Sequence, residues 1–356
     1  MPNTTKENII NRRDFLAAGG AIALTAPLAA TCAAPAETSF NGRRPVNPGI
    51  DNLSVVCGIN PAMVKADPSS WDMEAQNTVV DVNQVEKTLD VMAMSLSGAG
   101  TAGAAWSLIF RKPAQKEAKG LKAAIKVNCI ALNHPRIAVV NKICLELQRF
   151  GIPAENIIIY DGCHNAAPLY ASFIGNGLPA GVQVSDKYRA LGGTTKAPIP
   201  APKKGDYSCA KALADGSIDL LVDIAVNKGH QSGFGGATLT MKNHAGTFDP
   251  KPLHIGGGMD YLIAFNKSDA VRGKEFPRQQ LCIVDSLWGA KNGPGGPPDK
   301  RLDRLVMGTF SPAVDYLTAK KIREPELKAT HNDIERFITE FGYRVEEVPE
   351  MKVVKV

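Results

Sequence analysis

The stretch DLLVDIAVNKGHQSGFGGATLTMKNHAG, residues 219–246, decides the fold. It opens with an apolar run, residues 220–226, that is interrupted only by Asp223. A run of this length and composition is typical of a strand that is buried on both faces of a parallel sheet. The loop that follows carries Lys228 and His230 among several glycines. The stretch therefore predicts a core strand that delivers basic side chains to one edge of the sheet.

A short helix is predicted to begin near Ala237, directly after Gly235 and Gly236. Glycines let the backbone approach a ligand closely, and the first turn of a helix presents unpaired N–H groups. Lys242 and Asn243 fall within this helix. The arrangement favours the binding of a small anion. The alternative is a tight turn with solvated basic residues.

Strands and helices alternate on both sides of this stretch. The predicted strands are residues 53–59, 123–128, 157–160, 281–284 and 304–307, and the predicted helices are residues 82–96, 135–150, 168–174 and 312–322. Apolar strands that alternate with amphipathic helices predict an α/β fold, with a mostly parallel sheet and helices on both faces. Two segments rich in glycine and proline interrupt the pattern. We expect residues 191–206 to be an exposed excursion and residues 289–300 to be a mobile lid.

The pattern divides the chain into four parts. Residues 1–36 are predicted to be a signal peptide, residues 37–52 a polar linker, and residues 53–325 the α/β domain. Residues 326–356 are predicted to be a C-terminal helix and tail. The helix belongs to a helix pair over residues 324–341, and the tail alternates like an edge strand.

The N-terminus predicts export from the cytoplasm. Arg12 and Arg13 precede an apolar run, residues 17–30, which resembles a signal for the twin-arginine export machinery and a periplasmic location. An ordinary secretory signal and an N-terminal anchor are the alternatives. Cys32 suggests a lipid anchor, but the residues before it match a lipidation motif poorly, so anchoring is the less favoured interpretation.

Composition narrows the classes of partner and cofactor. The net charge of +6 is mild, and the basic residues are scattered rather than interleaved with aromatics, so no nucleic acid is expected to bind. The cysteines form no CxxC pair, which argues against an iron–sulfur cluster. Cys144 and Cys282 lie in apolar patterns and are expected in the core. The cofactor stays undefined, with a divalent metal as one option.

Polar side chains follow four of the predicted strands at the point where each strand ends. These residues are Lys126, Asn128 and His134 after one strand, Asp161, Cys163 and His164 after another, then Lys228 with His230, and finally Asp285. Ligands of open parallel sheets bind outside the carboxyl ends of the strands. Turn chemistry alone explains any one of these residues. Their occurrence at four strand ends favours a functional site.

Roles follow from side-chain chemistry, since no GxSxG, P-loop or HExxH motif is present. The predicted catalytic residues are His230, Lys242 and Lys228. The predicted ligand-binding residues are Lys126, Asn128, His134, Gly235, Gly236, Asn243 and Asp285. The predicted metal ligands, which supply nitrogen, oxygen and sulfur donors, are His164, His230, His244, Asp161 and Cys163.

The series of motifs resembles the family called domain of unknown function 362 across residues 123–322. The carrying pieces are IKVN, IIIYDG, NKGH, TLTMKNHAG, IVDSLWG and NGPGG, followed by the segment around Asp315. The Lys-x-His and Lys-Asn-x-x-Gly pieces of that family match Lys228, His230, Lys242, Asn243 and Gly246. The family's usual Lys-Pro-Asn strand end is Lys126-Val127-Asn128 here, without the proline. Some members add a ferredoxin-like segment, which this chain lacks.

A more distant resemblance is to the nickel-pincer lactate racemase class. That class carries a histidine, a glycine-rich turn and a lysine that bears the cofactor, for which His230 and Lys242 would stand. The spacing differs, and the arginine beside that lysine is absent.

Three functions are therefore open. The first is an envelope enzyme that uses a metal or bound cofactor on a small anionic substrate. The second is a non-catalytic periplasmic protein that binds a metal or an anion. The third is an accessory protein whose glycine-rich turn is architectural.

Overall fold

The computed structural model describes residues 53–356 and, in the N-terminal part, the backbone of the two-residue strand Ile9–Ile10. The rest of the predicted signal peptide, with Arg12, Arg13 and Cys32, and the predicted linker lie outside the described residues. The strands are β1 (Ile9–Ile10), β2 (Val55–Ile59), β3 (Ala123–Lys126), β4 (Ile157–Tyr160), β5 (Gln183–Val184), β6 (Thr194–Ile199), β7 (Gly205–Ala210), β8 (Leu220–Gly229), β9 (Ala237–Thr238), β10 (Gln279–Gly289), β11 (Lys300–Gly308) and β12 (Lys352–Lys355).

One ten-stranded sheet organises the molecule, in the order β1-β12-β2-β11-β10-β8-β3-β4-β5, with β9 paired to β8 beside this path. Neighbours along the path are parallel except on the two sides of β11. The mostly parallel α/β sheet that the sequence predicted is thus confirmed. Strands β6 and β7 form a separate antiparallel hairpin.

Twelve α-helices are defined in residues 53–356. They are α1 (Met73–Thr78), α2 (Val82–Ser97), α3 (Ala102–Ile109), α4 (Ile137–Arg149), α5 (Ala167–Tyr170), α6 (Lys211–Ala214), α7 (Thr240–Asn243), α8 (Gly258–Asn266), α9 (Asp269–Arg272), α10 (Ser311–Thr318), α11 (Glu324–Leu327) and α12 (Arg336–Thr339). None of the helices in residues 53–356 combines the length and the apolar composition of a transmembrane segment.

Helices cover both faces of the sheet, because its strands are apolar on both sides. Alternate residues of β8 enter two different cores: Leu221 lies in one, and Val222 and Ile224 lie in the other. Helices α2 and α4 supply the second core, whereas α8, α10 and α12 supply the first. Cys144 and Cys282 are buried, as expected.

Strand β8 is the centre of the sheet and is buried along its whole length. It continues three residues beyond its predicted end, because Lys228 and Gly229 pair with β9. The predicted helix near Ala237 is therefore wrong at its start. Residues 237–238 are a strand, and α7 begins only at Thr240.

Two other segments differ from prediction, and a third agrees with it. Most of residues 191–206 belongs to the β6–β7 hairpin rather than to an irregular excursion. The tail strand β12 lies between β1 and β2, so it is not at the edge of the sheet. Residues 290–299 are irregular, as predicted, but Asn292 accepts a hydrogen bond from the backbone of Gly229 at 3.1 Å. The mobility of this segment stays a prediction.

Candidate functional site

The switch point of the sheet lies between β3 and β8. From β3 the chain moves outward to β4 and β5, and it then returns to place β8 on the other side of β3. Such a reversal leaves a crevice at the carboxyl ends of the two strands, where open α/β sheets bind ligands. Lys126 ends β3, and Lys228 lies at the end of β8.

Lys126 is the most firmly held side chain at these strand ends. Its Nζ donates to the Val127 carbonyl at 2.7 Å, to Asn243 Oδ1 at 3.1 Å and to Asp161 Oδ1 at 3.2 Å. Lys126 and Asp161 are both buried, so this ion pair is protected from water. Three acceptors, one of them charged, hold the ammonium in a fixed place.

Asp161, directly after β4, organises two loops. Its carboxylate accepts from the backbone N–H of Cys129 at 2.8 Å and from that of Cys163 at 3.0 Å, in addition to Lys126. The sequence signal for this role was the placement of Asp161 at a strand end. The carboxylate is thus a structural counter-charge for one lysine and an anchor for the loops after β3 and β4.

Asn243 joins the two strands to helix α7. Its side-chain oxygen accepts from Lys126 and from Asn128 Nδ2 at 3.3 Å, while its amide group donates to Asp223 Oδ1 at 2.6 Å. Burial raises the pKa of Asp223 well above its usual range. The predicted grouping of Lys126, Asn128 and Asn243 is therefore present, and it orients the end of β3.

Gly246 fits into this network because it has no side chain. A Cβ at Gly246 would lie 2.3 Å from Asp161 Oδ1 and 3.0 Å from Lys126 Nζ. Its carbonyl also accepts from the N–H of Gly162 at 3.1 Å. The Lys-Asn-x-x-Gly motif thus places a backbone directly against an ion pair, where only glycine fits.

Lys228 is buried and lacks a carboxylate partner. Its ammonium donates to the carbonyl of Ile130, and burial lowers its pKa to about 7. His134 lies in the same loop as Ile130, after strand β3. Its burial, together with the charge of Lys228, lowers the pKa of His134 to about 4. The Nδ1 of His134 is 3.3 Å from the carbonyl of Asn128. A carbonyl only accepts, so Nδ1 carries the proton and Nε2 keeps a lone pair.

Lys242 differs from the other two lysines in having no hydrogen-bond or ion-pair partner among the described residues. It is 5% exposed, and its Nζ lies 5.9 Å from the centre of the Phe234 ring. Burial lowers its pKa to about 8. Because Cys163, Asp161 and Lys126 also act on that pKa, Lys242 shares the electrostatic environment of the Lys126–Asp161 pair.

His230 stands beside Lys242 at the more open side. Burial and then Lys242 lower its pKa to about 3, so the ring is neutral at neutral pH. The backbone N–H of Gln231 donates to its Nδ1 at 2.8 Å, which places the ring proton on Nε2. The rings of Phe234 and His254 lie 4.8 Å and 5.9 Å from the ring of His230. His230 therefore offers a hydrogen-bond donor at Nε2. A metal bound at Nε2 would need a lone pair there, so the ring proton would move to Nδ1 and the hydrogen bond from Gln231 would be lost.

The predicted metal ligands are not assembled in one place. His244 faces the core, where its ring nitrogens meet Gln279 Oε1 at 2.6 Å and Thr247 Oγ1 at 3.0 Å. His164 is exposed, whereas Cys163 donates its S–H to the carbonyl of Ala245. Within residues 53–356, no three His, Cys, Asp or Glu side chains are grouped closely enough to hold a metal ion.

Asp285, one of the predicted ligand-binding residues, contacts Arg136. Its carboxylate accepts from the backbone N–H of Arg136 at 2.8 Å and lies 3.7 Å from the guanidinium of the same residue. That guanidinium stacks 4.7 Å above the Trp288 ring. Asp285 and Arg136 thus fix the start of α4, and both charges are compensated.

The start of helix α7 is already occupied by a carboxylate of the chain itself. Asp315, on α10, accepts from the backbone N–H groups of Thr240 and Met241 at 2.8 Å each and from the Thr240 hydroxyl at 2.6 Å. Burial raises the pKa of Asp315 to about 7 despite these bonds. Asp315 therefore occupies the helix start at which the sequence predicted an anion.

Gly235 and Gly236 are held by the C-terminal segment. Both have positive φ angles, of 77° and 74°. A Cβ at Gly236 would lie 2.7 Å from the carbonyl of Thr330, and the Gly235 carbonyl lies 2.8 Å from Nδ1 of His331. The loop is thus a closely packed turn, in which these two glycines pack against protein, but Lys228 and Lys242 are buried and not solvated as the alternative interpretation had them.

Charges at the switch point do not balance. Lys126 is paired with Asp161, and Arg136 is paired with Asp285. Lys228 and Lys242 have no carboxylate within ion-pair distance in the part of the chain that the structure describes, although both are buried. The site therefore holds an excess of buried positive charge.

Comparison of the chain with protein-family models, curated proteins and solved structures gave no match, so its resemblance to a known family stays a prediction.

Proposed function

We propose that the protein binds a small anionic ligand at the carboxyl ends of β3 and β8. One observation carries this proposal: Lys228 and Lys242 are buried without a counter-charge. An isolated buried ammonium is unfavourable, because removal from water weakens its solvation and nothing replaces it. An anion bound beside either lysine would supply that missing interaction.

The surroundings favour a small ligand with more than one polar group. Lys126 donates its three N–H groups to Val127, Asn243 and Asp161, so the attraction for an anion comes from Lys228 and Lys242. His230 adds a neutral donor at Nε2 beside Lys242. Carboxylate and phosphate oxygens match these donors. We further propose that the protein is an enzyme in which His230, Lys228 and Lys242 act on the bound anion.

Calorimetric titration with acetate, sulfate and inorganic phosphate tests the binding proposal. We expect saturable binding of at least one anion, and at least a tenfold loss of affinity in Lys228→Met. The matched control is Lys203→Met, since Lys203 is exposed on the turn between β6 and β7. Equal affinities of wild type and Lys228→Met, or no binding of any of the three anions, would refute the proposal. Binding without turnover of any anionic substrate would favour a non-catalytic binding protein.

Export by the twin-arginine machinery and a periplasmic location are part of the same proposal. The supporting feature is the pair Arg12 and Arg13 before an apolar run. Replacement of both arginines by lysine should retain the protein in the cytoplasm on cell fractionation, because that route recognises the arginine pair. Unchanged export of the double variant would instead indicate an ordinary secretory signal.

The proposed relationship to the domain of unknown function 362 family rests on the lysine, asparagine and glycine motifs at the carboxyl ends of β3 and β8.

A further inference from the structure

The three lysines at the switch point differ in how their amines are held. Lys126 donates to three acceptors, and Lys228 donates to one backbone carbonyl. Lys242 is 5% exposed and donates to none of the described residues. Lys242 Nζ is not one of the fully buried side-chain atoms that lack a partner in residues 53–356, so the amine reaches solvent at the end of a buried side chain. Its lone pair and its protons are therefore available to a ligand.

The surroundings of Lys242 suit a reacting amine. The Phe234 ring lies 5.9 Å from its Nζ and provides an apolar wall. Lys126 stands near it as a fixed positive charge, which disfavours a second positive charge on Lys242. Burial of the side chain and the charge of Lys126 lower the pKa of Lys242, so a larger share of its amine is neutral, and a neutral lysine amine attacks carbonyl carbons.

We propose that Lys242 forms an imine with a 2-oxo acid. This inference rests on the proposed anion site, because the carboxylate of the acid would lie beside Lys228, which like Lys242 acts on the pKa of His230. A 2-oxo acid carries its carbonyl carbon next to that carboxylate. The uncompensated charge of Lys228 would thus direct the carboxylate, while the unpartnered amine of Lys242 meets the adjacent carbon.

The step balances without an oxidant or a reductant. The lone pair of Lys242 Nζ forms a bond to the carbonyl carbon, and the π electrons of the carbonyl move to its oxygen. That oxygen accepts a hydrogen bond from Nε2 of His230, which carries the ring proton. Two protons leave the nitrogen and depart with the oxygen as water, so the products are the imine and one water. Addition of water to the imine reverses the reaction.

Reductive trapping tests the inference directly. The purified protein is incubated with pyruvate and sodium cyanoborohydride, and the modified peptide is identified by mass spectrometry. We expect one stoichiometric reduced pyruvyl adduct, on the peptide that contains Lys242. Lys242→Met and Lys242→Arg should abolish this adduct, whereas Lys203→Met should leave it unchanged. Lactate, which has the same charge but no carbonyl, should slow trapping without forming an adduct.

The outcomes separate this inference from the proposed function. An adduct that maps to another lysine, or that persists in both Lys242 variants, would overturn the inference. Absence of an adduct while acetate or pyruvate still binds by calorimetry would also overturn it, and would leave the anion site intact. Absence of both trapping and anion binding would refute both proposals. If Lys242→Met does not fold, peptide mapping on the wild type and on Lys242→Arg decides the question.

Discussion

Substitution of Gly246 by alanine isolates the steric requirement of the candidate site. The φ angle of Gly246 is not in the left-handed region, so alanine can adopt its backbone conformation without strain. The added Cβ would lie 2.3 Å from Asp161 Oδ1 and 2.8 Å from Lys126 Cε. Carbon atoms approach other heavy atoms favourably at about 3.5 Å, so the carboxylate must move by about 1 Å.

A displacement of this size disturbs the network that holds Lys126. The Lys126–Asp161 distance of 3.2 Å is already long for a charged hydrogen bond, and a further 1 Å or so would break it. Crowding in a packed interior costs about 1–3 kcal/mol, and loss of one hydrogen bond between charged groups costs about 1.5–3 kcal/mol. We therefore expect Gly246→Ala to lower the free energy of unfolding by about 3 kcal/mol.

Urea unfolding followed by circular dichroism measures this loss, and calorimetry with acetate measures the effect on binding. The matched control is Gly120→Ala, because a Cβ at Gly120 meets nothing within 4 Å. We expect the control to match wild type in both assays and Gly246→Ala to lose at least tenfold in affinity. A stability within 0.5 kcal/mol or so of the control, with unchanged affinity, would show that the network tolerates the displacement and would refute the reasoning.

Three further predictions concern the buried charges. Binding of acetate at pH 8 should take up protons, because the pKa values of Lys228 (about 7) and Lys242 (about 8) rise beside an anion. Calorimetry in two buffers of different ionisation enthalpy measures this proton uptake. The uptake should vanish near pH 6, where both lysines are already protonated in the free protein. Lys242→Met should stabilise the ligand-free protein by up to about 3 kcal/mol at pH 6. At that pH the lysine is charged in both the folded and the unfolded protein, so the full cost of burying its charge is present. Urea unfolding measures this gain in stability, which should fall as pH rises through 8 to 10.5. For Asp315, the pKa of about 7 in the folded protein exceeds the ordinary value of 3.8. Its contribution to the free energy of unfolding is therefore fully present below pH 4 and is lost as pH rises through 7. The stability difference between wild type and Asp315→Asn should therefore shrink by about 4 kcal/mol between pH 4 and pH 8, and a constant difference across that range would contradict the assigned pKa.

The central strand and the convergence of strand ends were predictable because both depend on local pattern. An apolar run of seven residues with flanking glycines has few alternatives to a buried strand, and β8 follows from it. Parallel neighbours then bring their carboxyl ends to one edge, so Lys126, Asp161 and Lys228 meet there without any knowledge of long-range contacts.

Long-range partners were not predictable, because they come from segments far apart in the chain. Asp315 caps helix α7, and it lies 75 residues from Thr240 in the sequence. Asp285 accepts a hydrogen bond from Arg136, which lies 149 residues away in the sequence. Each of these carboxylates looks like a candidate ligand until its partner is known. The same holds for His244, whose position beside Lys242 in sequence suggested a role in the site although its ring faces Gln279 in the core.

Burial itself separates the lysines of the proposed ligand site from the structural charges. The pairs Lys126–Asp161 and Arg136–Asp285 carry equal and opposite charge, so folding alone explains why they are present. Lys228 and Lys242 have no such explanation, because an apolar side chain of similar volume would fill either position at lower cost. A protein that keeps two buried, uncompensated ammonium groups gives up stability in its free form. A ligand that carries negative charge recovers that stability only in the complex, and the affinity of the site then derives from the charge that the free fold leaves unpaired.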